Sequence, residues 1–166
     1  MTYQIQSSFA ENFKILTDTN ISIQQLTNSY AYATGSQIDY VPSPSSSLVV
    51  YQYSVHLTQG GNSSELNAQF KLQYSDDNGA SYSEWGDNTE VYLGSAGTYI
   101  KSRTVVDIKF CLSASGWNNT KRLRLVVLED SGSTTALHQL DQDFQDDTNS
   151  YADQKYFPSV SCYSVE

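Results

Sequence analysis

Ser47-Leu48-Val49-Val50-Tyr51-Gln52-Tyr53-Ser54-Val55-His56-Leu57 and Glu65-Leu66-Asn67-Ala68-Gln69-Phe70-Lys71-Leu72-Gln73-Tyr74-Ser75 alternate apolar and polar residues with almost no error. In the first stretch Val49, Tyr51, Tyr53, Val55 and Leu57 share a face. In the second, Leu66, Ala68, Phe70, Leu72 and Tyr74 lie opposite Asn67, Gln69, Lys71 and Gln73. A period of two marks a strand with one dry face and one wet face. Gly60-Gly61-Asn62 lies between the two, so the pair reads as an antiparallel hairpin. One residue breaks the pattern: Val50 sits on the polar face, which points to an outer surface met by another subunit.

Working outward, Asn20–Leu26 alternates and reads as a strand, Ser29–Ser36 as a loop and Gln37–Val41 as a short strand. Pro42-Ser43-Pro44 breaks the ladder, since proline lacks a backbone donor and fixes φ. Asp76-Asp77-Asn78-Gly79 is a tight-turn signal. Ala80–Ala96 reads as a loop carrying Tyr82, Trp85 and Tyr92. Thr98–Leu112 is a long strand with Val106, Ile108, Phe110 and Leu112 on its dry face. Gly116-Trp117-Asn118-Asn119 turns the chain. Lys121–Glu129 is a strand with Leu123, Leu125 and Val127 inward and Arg122 and Arg124 outward. Thr134–Leu140 is a further strand candidate, Asp141–Asp153 a polar loop, and Ser159–Val165 a closing strand. Strands at regular spacing, with turn signals between them and no helical period, define an all-β sandwich or barrel.

The bulk properties exclude several functions. At 166 residues one domain is expected. The net charge of −9 argues against gripping nucleic acid or an anionic membrane, since both demand a basic face. The charged fraction is 16%, below the ~25% of ordinary soluble domains, and Ser, Thr, Asn and Gln fill the difference. Tyrosine dominates the aromatics, with 13 against 6 Phe and 2 Trp. It suits half-buried strands and contact surfaces. No apolar run approaches the ~20 residues of a membrane span. The N-terminal residues have no basic region and no apolar core, so a chain made in a cytoplasm is expected. Cys111 and Cys162 then read as free thiols rather than a bridge. The sequons at Asn20, Asn62 and Asn118 read as chance matches.

The segment order resembles the tumour-necrosis-factor-like jelly roll of tailed-bacteriophage virion surface proteins. The likeness rests on Tyr40-Val41-Pro42, the Pro44-Ser45-Ser46-Ser47 lead into Leu48–Val55, Gly116-Trp117, Arg122-Leu123-Arg124-Leu125-Val126, and the end Pro158–Glu166. It covers about residues 20 to 166. The resemblance implies an antiparallel jelly-roll sandwich of about seven to ten strands, commonly a homotrimer, with no catalysis. It implies a non-catalytic virion structural protein that decorates or cements the capsid. The alternatives are a tail-fibre tip or knob that recognises a host surface glycan, and a carbohydrate-binding module. The partners would be capsid or tail proteins of the same particle, with assembly in the host cytoplasm. Val50, Val105 and Val126 on outer faces are consistent with a threefold interface. Residues 1–19 fall outside the pattern and read as an arm that docks on the shell through Phe9, Phe13 and Ile15. The domain itself spans 20–166.

No motif announces chemistry. His56 falls in phase with Gln52 and Ser54, and no G-x-S-x-G accompanies it, so His56 and His138 read as structural or surface residues. No His/Cys spacing fits zinc. The aspartates at 141–153, or Asp76-Asp77-Asn78, could offer calcium its oxygens, but the EF-hand pattern is missing, and solvated acidic loops are expected instead. Neither a metal nor a cofactor is therefore assigned. Tyr82, Trp85, Tyr92, Tyr99 and Trp117 could form a sugar-stacking platform on the loops of a rigid sandwich, or could line the core edge or a subunit interface.

Overall fold

The computed structural model describes residues 13–15, 23–60, 66–86, 89–93, 103–129, 134–138 and 157–166. Twelve strands fall among them: β1 Phe13–Ile15, β2 Gln24–Gln25, β3 Ala31–Tyr32, β4 Ile38–Tyr40, β5 Leu48–Gly60, β6 Leu66–Ser75, β7 Ser83–Glu84, β8 Thr89–Leu93, β9 Arg103–Ser113, β10 Lys121–Glu129, β11 Thr134–Leu137 and β12 Ser159–Val165. No helix is present among the described residues. The strands form two antiparallel sheets that pack face to face as a sandwich. The excess over the expected strand number comes from two- and three-residue strands, too short to show any period.

The expected hairpin is not formed, because β5 and β6 lie in different sheets. β5 pairs with β9 along one edge and with β12 and β11 along the other. β6 pairs with β10 on one side and with β7 and β8 on the other. The physical reason is that alternation reports which face is dry and not which strand lies alongside. The inner row of β5 (Val49, Tyr51, Tyr53, Val55, Leu57) and the row Ala68, Phe70 and Leu72 of β6 are almost fully buried. They face one core from opposite layers, and a sandwich interior needs two such rows.

The short strands fill the flanks. β1 pairs with β12, and β2 with β11, at the edge of the first sheet. β3 and β4 both pair with β10, end to end along one edge of the second sheet. The loop between them closes the gap at Leu125. Ala33 N–H donates to the Leu125 carbonyl at 2.9 Å, and Leu125 N–H donates to Ser36 Oγ at 3.0 Å. Two core tyrosines of β5 then reach across the sandwich to this loop. Tyr53 Oη donates to the Thr34 carbonyl at 2.7 Å, and Tyr51 Oη donates to the Ser36 carbonyl. Burial pushes both phenols well above their usual range, so they remain donors.

Other expectations change as well. Ala31–Tyr32 of the expected 29–36 loop is a strand, and so are two pieces of the expected 80–96 loop. Phe13–Ile15 of the expected arm is bonded into the first sheet, while Phe9 and the aspartates of 141–153 lie outside the described residues. Cys162 is in the core, where burial pushes its thiol up. Cys111 is exposed on the outer face of the same sheet, and both are free.

Candidate functional site

Among the described residues, an open cleft of about 330 Å³ lies at one end of the sandwich, lined by Tyr74, Glu84, Trp85, Gly86, Ser113, Ser115, Gly116, Trp117 and Lys121. Four pieces of chain build it, one of them the start of β10 with Lys121. Tyr74 stands near the end of β6. Trp85 follows β7, and its backbone N–H is tied to the Leu72 carbonyl at 2.8 Å. Trp117 closes the turn after β9, where its N–H reaches the Ala114 carbonyl at 3.1 Å. That turn places Gly116 at φ 75°, a value L side chains rarely adopt.

The rings pack on one another. Trp85 and Trp117 lie 5.1 Å apart between centroids, tilted by 38°. Tyr74 meets Trp85 edge-on at 4.8 Å, and Tyr40 meets Trp117 edge-on at 6.1 Å. Trp117 is only 5% exposed, while Trp85 is partly exposed. Lys121 extends over this group, with Nζ 4.9 Å from the Tyr74 ring, 6.0 Å from Trp85 and 5.9 Å from Trp117. The same ammonium pairs with Asp76. Glu84 on the rim pairs with Lys71 at 3.3 Å.

Of the aromatic residues singled out from the sequence, Trp85 and Trp117 meet in this cleft. Tyr82 belongs to the outer face of the second sheet, where the Arg124 guanidinium lies 3.4 Å from its ring centre. Tyr92 is on β8 opposite Asn67, near the other end of β6 from Tyr74. Tyr99 lies outside the described residues. Sequence reasoning missed Tyr40, Tyr74 and Lys121. Tyr74 was visible only as the last member of an inward row, and nothing local marks a strand-end residue as a cleft wall.

The two histidines also meet. His138 N–H donates to the His56 carbonyl at 3.0 Å, and His56 Nδ1 lies 3.2 Å from Thr58 Oγ1. His56 is buried despite its outward phase, and His138 is fully buried at φ 69°. Neither ring nitrogen of His138 makes a well-formed hydrogen bond among the described residues, and the Thr34 carbonyl is a weak partner at most. Burial, with the nearby His56, pulls its pKa down to about 4, although the Thr34 carbonyl opposes this. The Asp76 and Asp77 carboxylates are engaged within the fold. Asp77 accepts from Ser75 and Ser81, which holds its pKa well below the usual range, and Asp76 takes Lys121.

The two outer sheet faces differ. On the first sheet Val50 lies between Cys111 and Tyr163, and Leu48 beside Val165. Leu48 is 43% exposed and Val165 38%, so one end of this face is apolar and open. On the second sheet, Arg122 is held by both Asp39 oxygens, Arg124 by Gln73, and Lys71 by Glu84 over the Tyr30 ring.

The chain matches no protein-family model, and a search of curated proteins finds no match. The functional reading therefore rests on the residues themselves.

Proposed function

We propose that this chain is a non-catalytic structural protein of a tailed-phage virion, a jelly-roll homotrimer that decorates or cements the capsid surface. The observation that carries the reading is the apolar end of the first sheet's outer face, where Leu48 and Val165 are exposed beside the exposed Cys111 and the half-buried Tyr163, while Val50 is already buried by its own chain. Apolar side chains grouped on a sheet face gain by meeting another surface, and in a closed ring of copies that surface is the same protein.

The strand order supports the jelly-roll part. If β1 and β2, β3 and β4, β7 and β8, and β11 and β12 are each taken as one row, the sheets run β1/β2, β11/β12, β5, β9 and β3/β4, β10, β6, β7/β8. The chain crosses between layers at β2 to β3, β4 to β5, β5 to β6, β8 to β9, β9 to β10 and β10 to β11, as Greek-key sandwiches do. The virion setting rests on the sequence resemblance. In this reading the segment before β1 docks on the shell.

The test is to locate the protein in purified particles, by mass spectrometry and by imaging the intact virion. The reading expects density attributable to it on the capsid, reduced when residues 1–12 are deleted, a deletion that spares β1. Its absence from purified particles overturns the reading.

A further inference from the structure

We propose that the cleft lined by Trp85 and Trp117 is a saccharide-binding site that takes a single neutral sugar ring. This goes beyond the assembly role and does not depend on it. A volume of about 330 Å³ is at the small end of ligand pockets and suits one ring rather than an extended chain.

The floor is already ordered. Trp85 is braced by Trp117 and Tyr74, and its backbone is tied to β6, so little freedom is lost on binding. Trp117 backs this floor, with its Nε1 donor buried and without a hydrogen-bond partner among the described residues. The rim is bare. A side-chain carbon built on Gly86 or Gly116 would meet nothing within 4 Å. Around that rim stand the hydroxyls of Ser113 and Ser115, the Glu84 carboxylate and the Lys121 ammonium.

The charges select the ligand class. The position a bound cation would take over the rings is held by Lys121. A lone anion finds that ammonium already paired with Asp76, and finds Glu84 across the rim. A purely apolar ligand would strip water from both charges. A pyranose offers what remains: a face of C–H groups for the indole and hydroxyls for the polar rim.

The chain has two tryptophans, and both line the cleft, so its two indole N–H signals report on this site alone. The full chain, ¹⁵N-labelled, is titrated with a panel of methyl hexopyranosides, including an N-acetylated one, and with tetramethylammonium and acetate. The expected result is saturable shifts of both indole signals with at least one glycoside and with neither ion. Trp85→Ala should weaken that binding by about tenfold or more. Ser115→Leu alters an exposed rim residue. It should block binding while leaving signals away from the cleft in place, which separates loss of the site from loss of the fold. The proposal is overturned if no glycoside moves the indole signals, if tetramethylammonium or acetate does so instead, or if binding persists unchanged in Ser115→Leu.

Discussion

β5 and β6 carry the same inner pattern but present opposite outer faces. The outer positions of β6 hold Gln69, Lys71 and Gln73, and on this sheet the charges find partners: Lys71 with Glu84, Arg122 with Asp39. The outer positions of β5 begin with Leu48 and Val50, and the apolar end continues onto Tyr163 and Val165 of β12. The first sheet keeps its ionisable histidines buried, whereas the second keeps its ion pairs at the surface. A period of two therefore shows where a core lies. The exceptions to it, Val50 on the outer row and the buried His56, show where one sheet differs from the other.

The largest expected difference between the sheets is in acid. His138 has a native pKa of about 4, against an ordinary value of 6.5. Between these values the unfolded chain binds more protons than the native one, so stability rises with pH. The group's contribution is lost as pH falls from about 6.5 to 4, and it amounts to about 3 kcal/mol. Urea unfolding across this window should show the slope. His138→Asn, which tolerates the positive φ, should flatten it whatever its effect on overall stability. The surface pairs of the second sheet should contribute little to this slope.

Tyr51 joins the two layers. Tyr51→Phe leaves the buried Ser36 carbonyl without its donor and should cost about 1–3 kcal/mol, read as a lower urea midpoint. The smallest effect belongs to the wet face. Lys71→Ala removes an exposed pair and should change stability by less than about 1 kcal/mol, with added salt shrinking the difference further.

The long elements were legible in the sequence because their periods are local. Lys121–Glu129 and Ser159–Val165 match β10 and β12 residue for residue, and the inward rows of β5 and β10 are buried, while that of β9 is buried at Ile108 and Leu112 and partly so at Val106 and Phe110. The pairing was not legible. Gly60-Gly61-Asn62 is as compatible with a crossing between layers as with a hairpin, and only contacts distant in sequence, β5 with β9 and β6 with β10, decide the matter. Two-residue strands such as Ser83–Glu84 owe their conformation to the edge of β6 rather than to their own residues. The cleft was half legible. Trp85 and Trp117 are conspicuous, but Lys121 and Tyr74 join them only because β10 and β6 pair and place Leu123 opposite Tyr74.

The central claim is that the apolar end of the first sheet is covered by further copies of the chain. Sedimentation equilibrium on the full chain tests it most directly, with Leu48→Asp as the comparison, since Leu48 is open to solvent within one chain. The expected result is a particle of three chain masses that falls to one in Leu48→Asp, with the variant's unfolding transition preserved. A single chain mass for the unaltered protein at the highest soluble concentration, or three chain masses for both, would contradict it.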